Sequence, residues 1–296
     1  MLGILNVDKQ FGDKVVLRDL SFEVRPGELF GFCGANGSGK TTTMRIILGL
    51  LRADRGEITW NGAPMDAETR QSIGYMPEER GLYPKMRPAE QLAYFAQLHG
   101  MPADEAKRSA DYWIERLGVK HEPKDTLEKL SLGNQQKVQM AAALVHDPKI
   151  LVLDEPFSGL DPVAVDALLD ALTEKARAGA PVIFSSHQLD LVERLCDSVG
   201  IISGGRMVAA GPVDSLRAKE SRKQLLLTVA GAQPGWARQL PHVVEASETG
   251  TSAVLTPTSP EVANEILQAA LAIGAVERFV WKAPTLTEIF REAVAA

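Results

Sequence analysis

The run Gly34-Ala35-Asn36-Gly37-Ser38-Gly39-Lys40-Thr41 constrains this chain more than any other stretch, because it has the spacing G-x-x-x-x-G-K-[ST]. The apolar run Leu29–Cys33 before it predicts a buried strand, and Thr42–Leu48 after it predicts a helix. Strand, glycine-rich loop and helix in that order make an anion cradle. The glycines let the backbone curl until successive N–H groups point inward, and the helix N-terminus adds its positive end. Asn36, Gly37, Ser38, Gly39 and Thr42 would line that cradle, Lys40 would reach β- and γ-phosphates, and the Thr41 hydroxyl would ligate Mg²⁺. Taken alone, the run also reads as a glycine-rich turn between a strand and a helix.

A second stretch argues against the plain turn. Ile150-Leu151-Val152-Leu153-Asp154-Glu155-Pro156 reads as a fully buried parallel strand whose acids emerge at its carboxyl end, where open α/β sheets bind ligands. Asp154 is suited to hold Mg²⁺ through water, and Glu155 to accept a proton from an attacking water. Alone, this too is an ordinary core strand ending in surface acids. Together the two stretches predict a nucleoside triphosphate and magnesium.

Which triphosphatase this is depends on Leu130-Ser131-Leu132-Gly133-Asn134-Gln135-Gln136. By itself, Ser131 is as readily a plain N-cap for the following helix. With the two nucleotide motifs on either side, the sequence resembles the ATP-binding subunit of an ABC transporter, and the resemblance covers most of residues 2–216. The family signature is Leu-Ser-Gly-Gly-Gln, so Ser131 and Gly133 match while Leu132 and Asn134 depart from it. The resemblance implies that the Ser131 hydroxyl and the Gly133 N–H contact the γ-phosphate held by an opposite subunit, with Asn134 in the same segment. Ser158-Gly159-Leu160-Asp161 matches the family's D-loop at the subunit interface. His187 ends the strand-like run Val182–Ser186; a lone histidine is usually structural, and His99, His121, His146 and His242 are read so. His187 matches the switch histidine that contacts the γ-phosphate. Phe11 sits where the family stacks an aromatic on adenine, with Val16 close behind it, although an ordinary half-buried strand residue remains the alternative for Phe11. Glu78 stands where most of the family has a glutamine that touches Mg²⁺. Some exporter-type subunits share that glutamate, and the tail Pro284–Phe290 resembles theirs.

Composition narrows the reading. A chain of 296 residues is long enough for a large core and two domains, and 45% hydrophobic with 24% charged residues is the make-up of an ordinary soluble protein. No apolar run approaches the roughly 20 residues that span a bilayer. Met1–Val7 enters a strand pattern directly, without the features of a signal peptide. Two cysteines, Cys33 in the core strand and Cys196 read as helical, make no disulfide framework. A net charge of −6 offers no basic footprint for nucleic acid.

The expected fold is therefore α/β, a P-loop NTPase of the ABC-ATPase type. It has a mainly parallel sheet core, an N-terminal β subdomain over residues 2–62 and a helical subdomain at about 84–146. Leu92, Phe95, Ala96 and Leu98 are placed on one helix face, and Trp113, Ile114 and Leu117 on another. The charged run Arg217–Arg222 is taken as the boundary between residues 1–218 and a small α+β domain over 219–296. That domain is read as strands Gln224–Val229, Val243–Ala246, Ala253–Leu255 and Val276–Trp281 with helices Pro260–Ala272 and Leu286–Val294. The resemblance implies ATP and Mg²⁺ as ligands, and a second ATP-binding subunit, identical or similar, closing head to tail. It also implies a separate transmembrane permease subunit touched near Glu79–Pro84, with the chain on the cytoplasmic face of the membrane. The alternative is a soluble ABC-type ATPase acting on ribosomes or DNA. Ribosome-acting members usually carry two cassettes in one chain, and DNA-repair members insert long coiled coils. This chain has one phosphate loop, and residues 42–130 lack sustained heptads.

Overall fold

Alternating apolar residues make β1 (Leu2–Phe11) and β2 (Lys14–Val24) a half-buried antiparallel hairpin, turned at Gly12, which has φ +56°. The computed structural model describes residues 1–79, 81–219, 224–282 and 284–295. Arg80, within the Glu79–Pro84 segment, and Glu220, Ser221 and Arg222 of the charged run lie outside the described residues. Next comes β3 (Leu29–Cys33), buried at all five positions, followed by the phosphate loop and α1 (Lys40–Ile47). Then β4 (Arg55–Trp60) and β5 (Ala63–Pro64) join the hairpin in a four-stranded antiparallel sheet of order β2-β1-β4-β5. Residues 2–62 are thus not one layer. An apolar segment with no polar side has to lie inside a sheet covered on both faces, so β3 leaves its neighbours for the main sheet.

That main sheet also takes β6 (Ile73–Met76), which follows the short helix α2 (Ala67–Gln71). The helical region comprises α3 (Pro88–Leu98), α4 (Ala103–Arg116) and α5 (Leu132–Leu144), with a 3-10 turn at Leu127–Lys129. Leu92, Ala96, Trp113 and Leu117 are buried there, but Leu98 is exposed, because it is the last residue of α3 and Gly100 (φ +88°) turns the chain away. The chain then runs through β7 (Ile150–Leu153), α6 (Pro162–Arg177), β8 (Val182–Ser186), α7 (Leu189–Leu195), β9 (Ser198–Ser203) and β10 (Arg206–Pro212). The sheet order is β10-β9-β3-β8-β7-β6, parallel except for the antiparallel edge strand β10. Cys196 is not helical: it caps α7 in an extended conformation, and burial raises its thiol pKa well above the ordinary value, while burial pushes the Cys33 thiol up to about 12.

The chain divides into two compact units, Met1–Val213 and Asp214–Ala296, so the break falls ahead of the charged run. Helix α8 (Val213–Lys219) spans it. In the second unit β11 (Gln224–Val229), β12 (Val243–Thr249), β13 (Ser252–Pro257) and β14 (Val276–Lys282) form an antiparallel sheet of order β12-β13-β11-β14. The helix expected over Pro260–Ala272 is a 3-10 turn, Pro260–Val262, leading into α9 (Ala263–Ile273). Ile266 and Ala270 of α9 join Leu225, Leu227 and Leu255 in the unit's own core. The last helix, α10 (Leu286–Ala295), starts in a reciprocal cap: Thr285 N–H donates to Glu288 at 2.7 Å, and Glu288 N–H donates to Thr285 Oγ1 at 3.2 Å. Among the described residues no helix is long and apolar enough to cross a membrane.

Candidate active site

The loop between β3 and α1 is built for something to sit against its backbone. Gly37 and Gly39 have φ of +79° and +115°, conformations that strain any residue with a Cβ. A Cβ on Gly34 would lie 2.5 Å from Ser38 Oγ and 2.6 Å from the Ile202 carbonyl oxygen. Lys40 Nζ bridges the loop, donating to the Gly34 carbonyl at 2.7 Å. Ser38 Oγ is buried and makes no hydrogen bond. A buried hydroxyl is costly without a partner, and a phosphate oxygen in the cradle would provide one.

The acids arrive from the parallel strands next door. Asp154 follows β7 and is buried; its Oδ2 accepts from Thr41 Oγ1 at 2.8 Å and its Oδ1 from Ser185 Oγ at 2.5 Å. The main chain then bends sharply, with Glu155 at φ +51° and its N–H donating to Ser185 Oγ at 2.9 Å. Such a conformation in a residue other than glycine costs energy and has to be held by its surroundings. Here it faces the Glu155 carboxylate toward His187, just past β8, whose Nδ1 lies 2.9 Å from Glu155 Oε2. Burial raises the Glu155 pKa above the usual carboxylate range, and the His187 hydrogen bond and Lys40 pull it part of the way back. A carboxylate tuned upward and hydrogen-bonded to an imidazole is suited to take a proton from water.

One cleft of about 400 Å³ gathers most of the expected residues: Val16, Asn36, Gly37, Gly39, Lys40, Thr41, Thr42, Glu78, Asp154 and Glu155. The β1–β2 ladder steps from Lys9↔Leu17 to Gln10↔Val15, so Val16 is the extra residue of a bulge. Phe11 lies at the end of β1, half exposed, paired in register with Lys14, which itself lines the cleft. Ser158 borders an adjoining hollow with Glu78, Gln136 and Glu155, and the Asp161 side chain caps α6 by accepting from Ala164 N–H at 2.8 Å. Ser131, Gly133 and Asn134 do not line this cleft. They form the N-terminus of α5, where Ser131 Oγ accepts from Asn134 Nδ2 at 3.0 Å and Asn134 Oδ1 accepts from Lys120 N–H at 2.9 Å.

Three residues of the site have no role that the sequence alone assigns. Ser185 holds the Asp154 carboxylate and the Glu155 N–H, and its sequence signal is a polar pair ending an apolar strand. Lys14 was visible only as a cation near Phe11. Gln139 Nε2 donates to the Pro77 carbonyl at 2.6 Å, tying α5 to the segment that carries Glu78, a contact of long sequence separation that leaves no local signal.

Comparison with known proteins adds the following. A family profile described as ABC transporter matches residues 17–158, and one described as ATP-binding protein DrrA1-3-like, C-terminal domain, matches residues 211–294. The chain is 38% identical over 296 residues to YhaQ of Bacillus subtilis (strain 168), described as an uncharacterized ABC transporter ATP-binding protein, across 100% of this chain and 99% of that one. It is 36% identical over 250 residues to the linearmycin resistance ATP-binding protein LnrL of the same organism, across 82% of this chain and 80% of LnrL. A solved structure described as the ATP binding subunit of an ABC transporter is similar with a TM-score of 0.68 at 33% identity, covering 74% of this chain and 92% of that one.

Proposed function

This chain belongs to the ABC transporter ATP-binding family and is an ATPase motor subunit of that kind, and from that premise we propose how its residues divide the work. ATP lies in the cleft with its phosphates on the Gly34–Thr41 loop and Lys40, and with its base against Phe11 and Val16. Thr41, Glu78 and Asp154 would hold Mg²⁺, whose charge would neutralise the β- and γ-phosphates; their hydroxyl and carboxylate oxygens are the donors such a hard cation takes. Glu155 accepts the proton of the attacking water, and His187 orients Glu155 and faces the γ-phosphate.

The reaction requires a second ATP-binding subunit. Ser131 and Gly133, with Asn134 beside them, close from the α5 N-terminus of one subunit onto the nucleotide of the other, and Ser158 and Asp161 lie at the junction. The position of Ser131 outside its own chain's cleft supports this head-to-tail arrangement. A separate transmembrane permease subunit docks at the groove of about 230 Å³ that includes Tyr75, Phe95, Leu98, His99 and His146 with Leu82 of the Glu79–Pro84 segment, the chain then lying on the cytoplasmic face of the membrane. The similarity to LnrL, whose name specifies resistance, supports export. A full-length relative described as a transporter protein favours this reading over action on ribosomes or DNA.

The observation that carries the proposal is the Glu155–His187 hydrogen bond at 2.9 Å, beside the Lys40 loop. Glu155→Gln should retain ATP binding, lower turnover by roughly 10²- to 10⁴-fold, and trap an ATP-dependent dimer. Gel filtration with and without ATP, beside a phosphate-release assay, reads both effects. Turnover at the wild-type rate would rule out Glu155 as the base, and a monomer in ATP would rule out the closed dimer.

A further inference from the structure

We propose that Lys9 is a positioning residue for nucleotide binding: anchored by Asp54, its ammonium covers one face of the Phe11 ring and leaves the other face for the base. This rests on Phe11 being the base platform. Lys9 and Phe11 are two apart on β1, so they share a face of the strand. Lys9 Nζ stands 5.4 Å from the centroid of the Phe11 ring, within the range of a cation–π contact. The lysine is not a loose surface side chain. It is only 11% exposed, and its Nζ donates to Asp54 Oδ1 at 2.6 Å.

Asp54 is held in turn. Its Oδ2 accepts the Gln10 N–H at 2.7 Å, and its own N–H donates to the Asp8 carbonyl at 2.9 Å. One carboxylate therefore grips both the backbone between Lys9 and Phe11 and the ammonium above the ring. Phe11 itself is 50% exposed and stands outside the buried core that takes Val7, Leu17 and Leu20 of the same hairpin. An aromatic platform that is already oriented has less side-chain freedom to lose when a base stacks on it. The brace acts through Phe11, so its contribution belongs to the base and not to the phosphates.

The test compares ADP with pyrophosphate, which lacks a base, by calorimetric titration of the full chain. Phe11→Ala should weaken ADP about fivefold or more and leave pyrophosphate unchanged. Lys9→Met should weaken ADP about two- to fivefold, leave pyrophosphate unchanged, and raise KM for ATP with little change in kcat. Lys9→Arg, which keeps a cation over the ring, should restore most of the loss, and Asp54→Asn should reproduce it. In a Phe11→Ala background, Lys9→Met should have no further effect on ADP. A Lys9→Met effect that persists there, or that falls equally on pyrophosphate, overturns the brace while leaving Phe11 as the platform. Wild-type ADP affinity in Phe11→Ala removes the platform and the brace together. If Lys9→Met does not fold, the arginine and asparagine variants carry the same comparison.

Discussion

Glu155 occupies a backbone conformation that few side chains tolerate, and burial makes it a stronger base than an ordinary glutamate. Both follow from where it sits, at the carboxyl end of a fully buried strand with Ser185 holding its N–H. A general base works only when deprotonated, so activity is full above its pKa and falls as pH drops through it. With the pKa raised by burial, the acid limb of the kcat/KM profile should lie higher than a solvent-exposed glutamate would place it. His187 works against that shift. His187→Ala should therefore move the acid limb further up in pH, besides slowing turnover. Profiles of both proteins across the acid limb test this, and a limb that stays in place would show that His187 does not tune Glu155.

At the scale of elements, stability is set by how each helix is capped and by what lies beneath it. Thr285 and Glu288 satisfy each other's N–H groups at the start of α10, and Glu288 also accepts from Lys282 at 3.1 Å. Thr285→Ala should cost about 1 kcal/mol of the second unit's stability, seen as a lower urea midpoint, and Thr285→Ser should recover most of it. A different device lies at the end of α5, where His146 stacks on His99 with ring centroids 3.7 Å apart. Burial, then His99, lower the pKa of His146 to about 4 from an ordinary 6.5. In the unfolded chain it takes a proton as pH falls below 6.5, while in the folded chain it resists until near 4. The neutral ring thus favours folding fully above 6.5, and this is lost progressively as pH falls toward 4, by at most roughly 3 kcal/mol. His146→Phe keeps the stack without the titration, so its urea midpoint should fall less than that of the wild type between about pH 7.5 and about pH 5. Equal falls would show that His146 does not govern acid stability.

For the whole molecule, separate cores in its two compact units imply separate folding units. The core that includes Phe32, Met44 and Val152 lies within residues 1–213, as does every residue assigned to the nucleotide. The second unit has its own core around Leu225, Trp236 and Ile266. A chain ending at Val213 should therefore remain soluble and bind ATP with an affinity close to that of the full chain. Its loss should appear in dimer stability or in response to the membrane subunit. An insoluble product would mean that the second unit completes the first core, and unchanged assembly and response would assign it neither role.

The α/β class, the phosphate loop and the acidic strand were legible in the sequence because each is written in consecutive residues: glycines where φ turns positive, an unbroken apolar run where both faces are covered, acids where the strand ends. Membership of the family followed from three such runs in order. What spacing along the chain did not contain was distance across it. That β3 leaves its neighbours and lies between β8 and β9, that Ser185 joins Asp154 to Glu155, and that Asp54 reaches back to Lys9 are decided by strands meeting side by side. Local pattern determines which face of a strand is apolar; only packing determines which strand lies beside it, and so which side chains come within a hydrogen bond of one another.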